Sequence, residues 1–308
     1  MSSFADKLRT LAKNPYSILL HWNAKGYFKN LSDKTTLKLI WLGAYGKRLN
    51  LKNPTTFNEK LQWLKLYDRK PIYTTMVDKC DAKKYVADII GGEYIVPTLG
   101  VWERFDDIDF DSLPDKFVLK TTHDSGGVFI CKDKSKMDFE KARALLEPRL
   151  SKSWYIRNRE WSYKNVVPRI IAEEFLVDAD TCELSDYKFY CFNGEPKMVL
   201  IATDRQNLVE ETKFDFFDME FKHLKITKTH PNSKVKIEEP ANFELMKTLA
   251  AKVAQGTPFL RMDFYEANGH VYFGECTFYP QSGLSSFEPD EVNYELGDMI
   301  VLPEKTND

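Results

Sequence analysis

One segment constrains this chain more than any other: PFLRMDFYEANGHVYFGECTF, residues 258–278. Two apolar stretches flank Asn268-Gly269, the dipeptide that most strongly favours a two-residue hairpin turn. The segment predicts a β-hairpin, yet it carries Arg261, Asp263 and Glu275. Alternation along a strand puts Arg261 and Asp263 on one face, and near-opposite pairing brings Glu275 close to them. Charges on strands otherwise made of Phe, Leu, Met and Tyr are costly to bury without partners. Two arrangements satisfy them. One is an Arg–Asp–Glu salt-bridge cluster. The other is a hard divalent cation held by the two carboxylates together with substrate phosphates.

The rest of the chain reads as an α+β pattern rather than a regular βαβ alternation. Helical periodicity covers 3–23, 34–46 and 56–68, with Thr56 and Glu59 forming a capping box for the third. Asp78 caps a further helix that runs through Ile90 and stops at Gly91-Gly92. KFVLKTT (116–122) and GVFICK (127–132) read as strands, 138–152 as a helix, and RIIAEEFL (169–176) as a strand. DYKFYCF (186–192), KMVLIAT (197–203) and KFDFFD (213–218) read as strands, and 241–255 as an Ala/Leu-rich helix. This order suggests a helical region over 1–75, a small lobe over 76–168 and a larger lobe over 169–308. A cleft between lobes is a favoured ligand site.

Composition narrows the function classes. The 308 residues are 43% hydrophobic and 14% aromatic, which supports a sizeable core and excludes a disordered chain. Lys and Arg total 44 against 46 Asp and Glu, so a nucleic-acid-coating protein is not expected. No apolar run reaches the roughly 18–20 residues of a membrane span. The charge is uneven, however. Residues 1–52 hold eight Lys and two Arg against Asp6 and Asp33, a net of +8. Such an arm is either a solvated helical face or a surface for an acidic partner, glycan or membrane. Phe4, Leu8 and Leu11 recur at helical spacing among Lys7, Arg9 and Lys13, which fits packing on the body or peripheral attachment at a membrane. The start lacks a signal peptide's continuous apolar block. The five cysteines, Cys80, Cys131, Cys182, Cys191 and Cys276, include no CxxC pair and read as reduced thiols, so a cytoplasmic address is expected.

Several shorter segments carry chemistry. In Lys120-Thr-Thr-His-Asp-Ser-Gly-Gly127 a strand delivers a lysine to a Ser/Gly turn. Backbone N–H groups in such a turn can cradle phosphate oxygens, although an ordinary hairpin turn reads the same. Ile170-Ile-Ala-Glu-Glu-Phe-Leu176 is an apolar strand ending in two glutamates, either a nucleobase edge or a strand emerging at the surface. Arg157, Arg159, Trp161 and Tyr163 form a basic-aromatic stretch, either a substrate surface or a packing cluster. Asp204-Arg205 ends a strand and is either a carboxylate-binding pair or a surface ion pair. Asp178-Ala-Asp180 has a DxD spacing, to which we attach little weight as a nucleotide-sugar metal site.

Taken in order, these pieces resemble the ATP-grasp superfamily of carboxylate–amine ligases over roughly residues 75–290. DKCDAK resembles the segment of the first ATP lysine, Lys79. KFVLKTTHDSGGVFI resembles that of the second, Lys120, with the phosphate-covering loop. IIAEEFL resembles the hinge, and FLRMDFY…VYFGECTFYP the metal strands. NPTTFNEKLQWLK, VLKTTHDSGG, DYKFYCFNGEPK, ATDR and GECTFYPQSGL resemble the TupA-like (teichuronopeptide biosynthesis) branch. The resemblance implies an ATP-grasp fold of two lobes clamping ATP, with Mg²⁺ on Asp263 and Glu275. Thr277 stands where relatives carry Asn, which weakens a second metal position. It further implies Lys79 and Lys120 on phosphates, the Ser125, Gly126 and Gly127 backbone over the transferring group, and Glu173 facing the adenine amino group. Glu174 and Leu176 would supply backbone beside the base, Asp186 would take the ribose hydroxyls and Lys188 a phosphate. Arg261, His123 and Arg205 would serve the reacting groups, with Gln281, Ser282 and Gly283 at the acceptor end. The implied reaction joins a carboxylate, expected to be a hexuronic acid of a capsular or cell-wall glycan or its precursor, to an amino acid or other amine through an acyl phosphate. A glycosyltransferase, a phosphotransferase or a scaffold of capsule assembly are the alternatives.

Overall fold

A computed structural model describes residues 14–179, 184–203 and 211–306. The amphipathic start with Phe4, Leu8 and Leu11, the residues Asp180 and Cys182, and the Asp204-Arg205 pair lie outside the described residues.

The chain begins with helices α1 (Ile18–Ala24), α2 (Asp33–Tyr45), α3 (Phe57–Tyr67), α4 (Ile72–Val77) and α5 (Asp81–Ile90). Their ends follow from their sequence. Ser32 caps α2, and Gly46 closes it in the left-handed region at φ 67°. Thr56 and Glu59 form the expected capping box on α3. The Asp78 carboxylate accepts from the Cys80 N–H at 2.8 Å and starts α5. Then follow β1 (Thr98–Trp102), β2 (Phe117–Thr121), β3 (Val128–Cys131), α6 (Phe139–Leu150), α7 (Trp154–Asn158) and β4 (Ile170–Glu174). The remainder is β5 (Ser185–Phe192), β6 (Glu195–Thr203), β7 (Lys213–Phe217), β8 (His223–Leu224), α8 (Phe243–Ala254), β9 (Phe259–Ala267), β10 (His270–Thr277) and α9 (Glu291–Met299). Helices α4, α7 and α9 and strand β1 were not expected from the sequence. The helices are short or weakly periodic, and β1 carries a glycine and no clean alternation.

Two antiparallel sheets organise these elements, one in the order β1-β4-β2-β3 and the other β10-β9-β5-β6-β7-β8. The expected division at residue 168 falls one strand early, because β4 pairs with both β1 and β2 and so belongs to the first sheet. The start at residue 76 also moves. Ala82, Val86 and Ile90 form the apolar stripe of α5 and share one core with Phe189, Met262 and Leu249 of the larger sheet and its helix. In the smaller sheet Phe117 and Leu119 point inward onto Ala142 and Leu146 of α6. The alternate residues Val118 and Lys120 therefore face the other sheet. The larger sheet packs α8 against one face, with Phe189 5.7 Å from Phe243. Its opposite face carries Asp186, Lys188, Arg261 and Asp263 on adjacent strands.

The hairpin β9–β10 turns at Asn268 and Gly269, both with positive φ (54° and 72°). Pairing runs regularly from Ala267–His270 to Phe264–Phe273 and then slips by one, so that Glu275 opposes Asp263 and Thr277 opposes Arg261. Without this bulge Glu275 would oppose Met262 and point toward α8. Gly274 supplies the extra residue. A Cβ there would stand 3.0 Å from the Asp263 carbonyl and 3.2 Å from the Tyr265 ring.

Helix α9 closes over the start of α3 through Gly297, where a Cβ would stand 2.1 Å from the Thr55 carbonyl. Thr56→Ala is expected to lower stability by about 1 kcal/mol through loss of the cap. Gly297→Ala is expected to cost more, about 1–3 kcal/mol, because backbone must move to admit the methyl group. Urea denaturation of the two variants checks the order.

Candidate active site

Alternation sets Arg261 and Asp263 on one face, and the pairing slip at Gly274 brings Glu275 to them. The Arg261 guanidinium grips Asp263 with two bonds, Nε to Oδ1 at 2.6 Å and Nη2 to Oδ2 at 2.7 Å. Nη2 also donates to Glu275 Oε1 at 2.9 Å and to the Thr277 hydroxyl at 3.0 Å. From β5, Lys188 Nζ lies 2.5 Å from Asp263 Oδ2 and 2.7 Å from Asp186 Oδ2. Asp263 and Asp186 are buried, whereas Glu275 keeps 37% of its side-chain surface exposed. Desolvation works to raise the Glu275 pKa, but Arg261, Lys79, Lys188 and Lys120 outweigh it and hold the carboxyl down to about 2. Glu275 is therefore an anion at any physiological pH. Among the described residues no three His, Cys, Asp or Glu side chains converge as a metal cluster. Two neighbouring carboxylates, one of them open to solvent, are nevertheless a donor set that suits Mg²⁺, which takes one or two protein carboxylates and completes its shell with phosphates and water. The Thr277 hydroxyl adds only a neutral donor already engaged by Arg261.

Across from this cluster, the smaller sheet presents its lysines. Lys120 Nζ contacts Glu173 Oε2 at 2.5 Å, and Lys83 Nζ from α5 contacts Oε1 at 2.6 Å. Burial works to raise the Glu173 pKa, and the two ammonium groups overcome it and lower it. The Glu173 carboxylate, expected to face an adenine amino group, is held here by two lysines. Asp186, expected at the ribose hydroxyls, is buried with its carboxylate against Lys188. Leu176 and Glu174 do border a cavity between the sheets of about 330 Å³, whose apolar wall includes Val118, Val128, Ile130 and Ile201. Val128 and Ile130 are 39% and 42% exposed, apolar surface that a planar base would cover. Lys120 and Glu173 stand at this same cavity.

The glycine turn joins β2 to β3. Its ends close through the Thr121 N–H, which donates to the Gly127 carbonyl at 2.9 Å. Gly126 has φ 86°, and a Cβ on Gly127 would fall 1.8 Å from the Thr121 hydroxyl. Lys79 reaches the turn and donates to the Asp124 carbonyl. Burial lowers the Lys79 pKa, against the opposing pull of Glu275 and Asp124. His123 differs from expectation. It is 3% exposed, and its Nε2 lies 3.1 Å from the Arg149 carbonyl and 3.2 Å from the Lys152 carbonyl. It ties the turn to the end of α6 instead of facing a reacting group, because unpaired carbonyls at a helix C-terminus attract an N–H donor.

Beyond β10, Gln281, Ser282 and Gly283 all adopt positive φ. Ser282 is buried, with its carbonyl accepting from Lys65 at 2.8 Å and Gln62 at 3.0 Å, while Gln281 bonds the Thr229 hydroxyl at 3.1 Å. In the basic-aromatic stretch Trp161 and Tyr163 pack on the core, whereas Arg157 is exposed. Arg159 is buried and donates to the carbonyls of Phe28, Lys29 and Leu31. Sequence reasoning missed three residues. Lys83 follows Lys79 by four, one helical turn, a spacing that could have found it. Arg149, whose guanidinium reaches the turn, lies 22 or more residues away in sequence. Lys228 is buried, its amine 4.0 Å over the Phe287 ring, and burial together with Arg261 pushes its pKa down to about 7. No local pattern marks either of these two.

Replacing Glu173 with Gln leaves two largely buried ammonium groups without their anion. The expected loss of stability at pH 7 is roughly 3 kcal/mol. Because the folded-state pKa lies below the ordinary 4.5, the carboxylate's contribution is complete above that value. It disappears as pH falls through the lower folded value. Denaturation midpoints of the parent protein and Glu173→Gln should therefore converge as pH drops below about 4.5.

Comparison with known proteins identifies the family. A family model described as TupA-like ATP-grasp matches residues 59–301. A search of curated proteins by sequence finds no match. Among solved structures, D-alanine–D-alanine ligase from Bacillus anthracis complexed with ATP is similar at 16% identity and TM-score 0.43, covering 73% of this chain and 65% of that one. The ATP-grasp ligase PsnB complexed with a minimal precursor is similar at 12% identity and TM-score 0.40, covering 68% of this chain and 54% of that one. D-cycloserine synthetase DcsG is similar at 16% identity and TM-score 0.36, covering 68% and 64%. The chain thus spans less than two thirds of the length of each of these structures. At these scores the assignment rests on the family model, which matches most of the chain: the protein belongs to the TupA-like ATP-grasp family.

Proposed function

We propose that the protein is an ATP-dependent carboxylate–amine ligase. The observation that carries this reading is the Arg261–Asp263–Glu275 cluster, on the strand face whose Tyr265 lines the cavity with the apolar wall, with Lys120 at that cavity's edge. A carboxylate cannot acylate an amine directly near neutral pH, because its oxygen is a poor leaving group. In the proposed reaction the substrate carboxylate attacks the γ-phosphorus, the bond to ADP breaks, and an acyl phosphate forms. The amine then attacks the acyl carbon, phosphate leaves with the bonding electrons, and the amine's proton passes to solvent or buffer.

Such a reaction needs positioning and charge neutralisation more than covalent help from the protein. Val118, Val128, Ile130 and Leu176 would hold the base. Lys79, Lys120 and Lys188 would bind phosphates, at the cost of the contacts each now makes. The backbone of Ser125, Gly126 and Gly127 would cover the transferring group, and Arg261 would stabilise charge as the acyl phosphate forms. Asp263 and Glu275 would hold Mg²⁺, which neutralises phosphate charge when bound. Arg205 remains a candidate for the substrate carboxylate from its sequence alone.

For the acid we propose a hexuronic acid of a capsular or cell-wall polysaccharide, or its activated precursor, and for the amine an amino acid or other small amine. The TupA-like family supports this choice. The basic arm supports an anionic partner such as a glycan or the inner membrane face: exposed Tyr16, Trp22 and Tyr27 stand in the same stretch as Lys25 and Lys29. Among the described residues no helix is long and apolar enough to cross a membrane.

The test is ADP release from MgATP across uronic acids and nucleotide-linked uronates mixed with amines, followed by product mass. The expected product has the summed mass of acid and amine less one water. EDTA should abolish turnover, and Glu275→Gln should lower it by roughly 100-fold or more, the scale of losing a charge-stabilising group. A phosphorylated product without amide would instead place the protein among phosphotransferases. Absence of ADP release with every combination would overturn the reading.

A further inference from the structure

A glycine-rich turn that covers a phosphate must hold its N–H groups in one geometry, yet glycine is the residue with the most conformational freedom. Here Ser125 and Gly126 are exposed, so packing does not hold them. What shapes the turn is a buried carboxylate beside it. Asp124 is 6% exposed. One oxygen accepts from the Thr121 hydroxyl at the end of β2. The other accepts from Arg149 Nη1 at 2.6 Å. The same Nη1 lies 3.3 Å from the Ser125 carbonyl. In a trans peptide the N–H points opposite to the carbonyl, so the Gly126 N–H is turned away from α6. The Arg149 side chain also packs under the glycines: its Cδ would lie 3.0 Å from a Cβ on Gly127, and Nη2 3.7 Å from one on Gly126. A second tie is His123, bound to the carbonyls of Arg149 and Lys152.

We propose that Arg149 is a positioning residue for phosphate binding: acting through Asp124 and the Ser125 carbonyl, it holds the turn in the shape that presents its backbone to the nucleotide. Helix α6 is then the carrier of the turn, and the two move as one body. The proposal rests on the ATP-dependent reading above. Arg149 itself keeps 28% of its side-chain surface exposed and pairs with a carboxylate inside the turn, so it touches the nucleotide only through the backbone it shapes.

The experiment compares the full chain with Arg149→Met, Arg149→Lys, Asp124→Asn and the Asp124→Asn/Arg149→Met pair. MgATP binding is measured by calorimetry at a temperature where circular dichroism shows each variant folded. Thermal melting and hydrogen exchange over residues 121–128 are followed in parallel. The expected result is a 10- to 100-fold weaker MgATP affinity for Arg149→Met, the scale of a charge-assisted hydrogen bond. Arg149→Lys should recover part of it, since it keeps the charge but not the fork. The double variant should be no worse than the weaker single one, because both remove one link. Exchange in the turn should be faster in Arg149→Met, and MgATP should slow it less than in the parent protein. A folded Arg149→Met that melts earlier yet binds MgATP within twofold of the parent would show a merely structural role and overturn the proposal. Failure of the parent itself to bind MgATP would overturn the ATP-dependent reading, an outcome that binding by the parent alone distinguishes.

Discussion

The bidentate grip of Arg261 on Asp263, with Glu275 drawn to the same guanidinium, is the interaction on which the site depends. Both carboxylates come from strands whose opposite face, with Leu260, Met262, Phe264 and Phe273, is core. Asp263 is fully buried, and without Arg261 and Lys188 it would face a desolvation cost of several kcal/mol as an anion. The pairing slip at Gly274 makes the grip possible. It moves one residue out of register, and with it a carboxylate from the helix side of the sheet to the open side. A small residue is needed because the backbone of β9 passes close by. The charge cluster and the bulge are thus one device: each is costly alone, and together they place two anions beside one another.

The same logic organises the opposite wall. Glu173 plays for Lys83 and Lys120 the part that Arg261 plays for the carboxylates, a buried counter-charge that holds side chains in place. Lys79 is held by a backbone carbonyl of the glycine turn, and the turn is held by Arg149. Every cation assigned to phosphates in the proposed reaction is therefore already engaged within the protein. Nucleotide binding exchanges these contacts for phosphate oxygens rather than recruiting free side chains. Exchange of this kind avoids leaving like charges unpaired in a cavity of low dielectric.

Much of the fold was legible because short-range rules dominate there. The capping box at Thr56 and Glu59, the Asn268-Gly269 turn and the glycine stop after α5 all appear where local chemistry predicts them. Strand β1 and helix α9 were not legible, since their residues acquire structure from what they pack against. Strand β4 was recognised as a strand but assigned to the wrong sheet. An apolar run states that it will be buried on both faces, not which neighbours will bury it. Among site residues, Arg261 and Asp263 could be placed on one face from alternation, whereas Glu275 joins them only through the slip at Gly274. The lysine partners of Glu173 and Asp186 could not be read, because a carboxylate's partner is chosen by whichever cation lies nearest in space.

What the sequence alone determined is the chemistry of the chain: a hairpin bearing an arginine and two carboxylates, a lysine before a glycine turn, and a sequence of motifs that resembles one family. These follow from periodicity and residue type, which act over a few positions. The tertiary structure alone decided the rest. It chose the register that turns Glu275 toward Asp263, the lysines that claim Glu173, and the arginine on α6 that holds the turn. The reason is physical. Hydrogen bonds and ion pairs reach only about 3 Å, and residues far apart in the chain come within that distance only when burial of apolar surface brings their elements together.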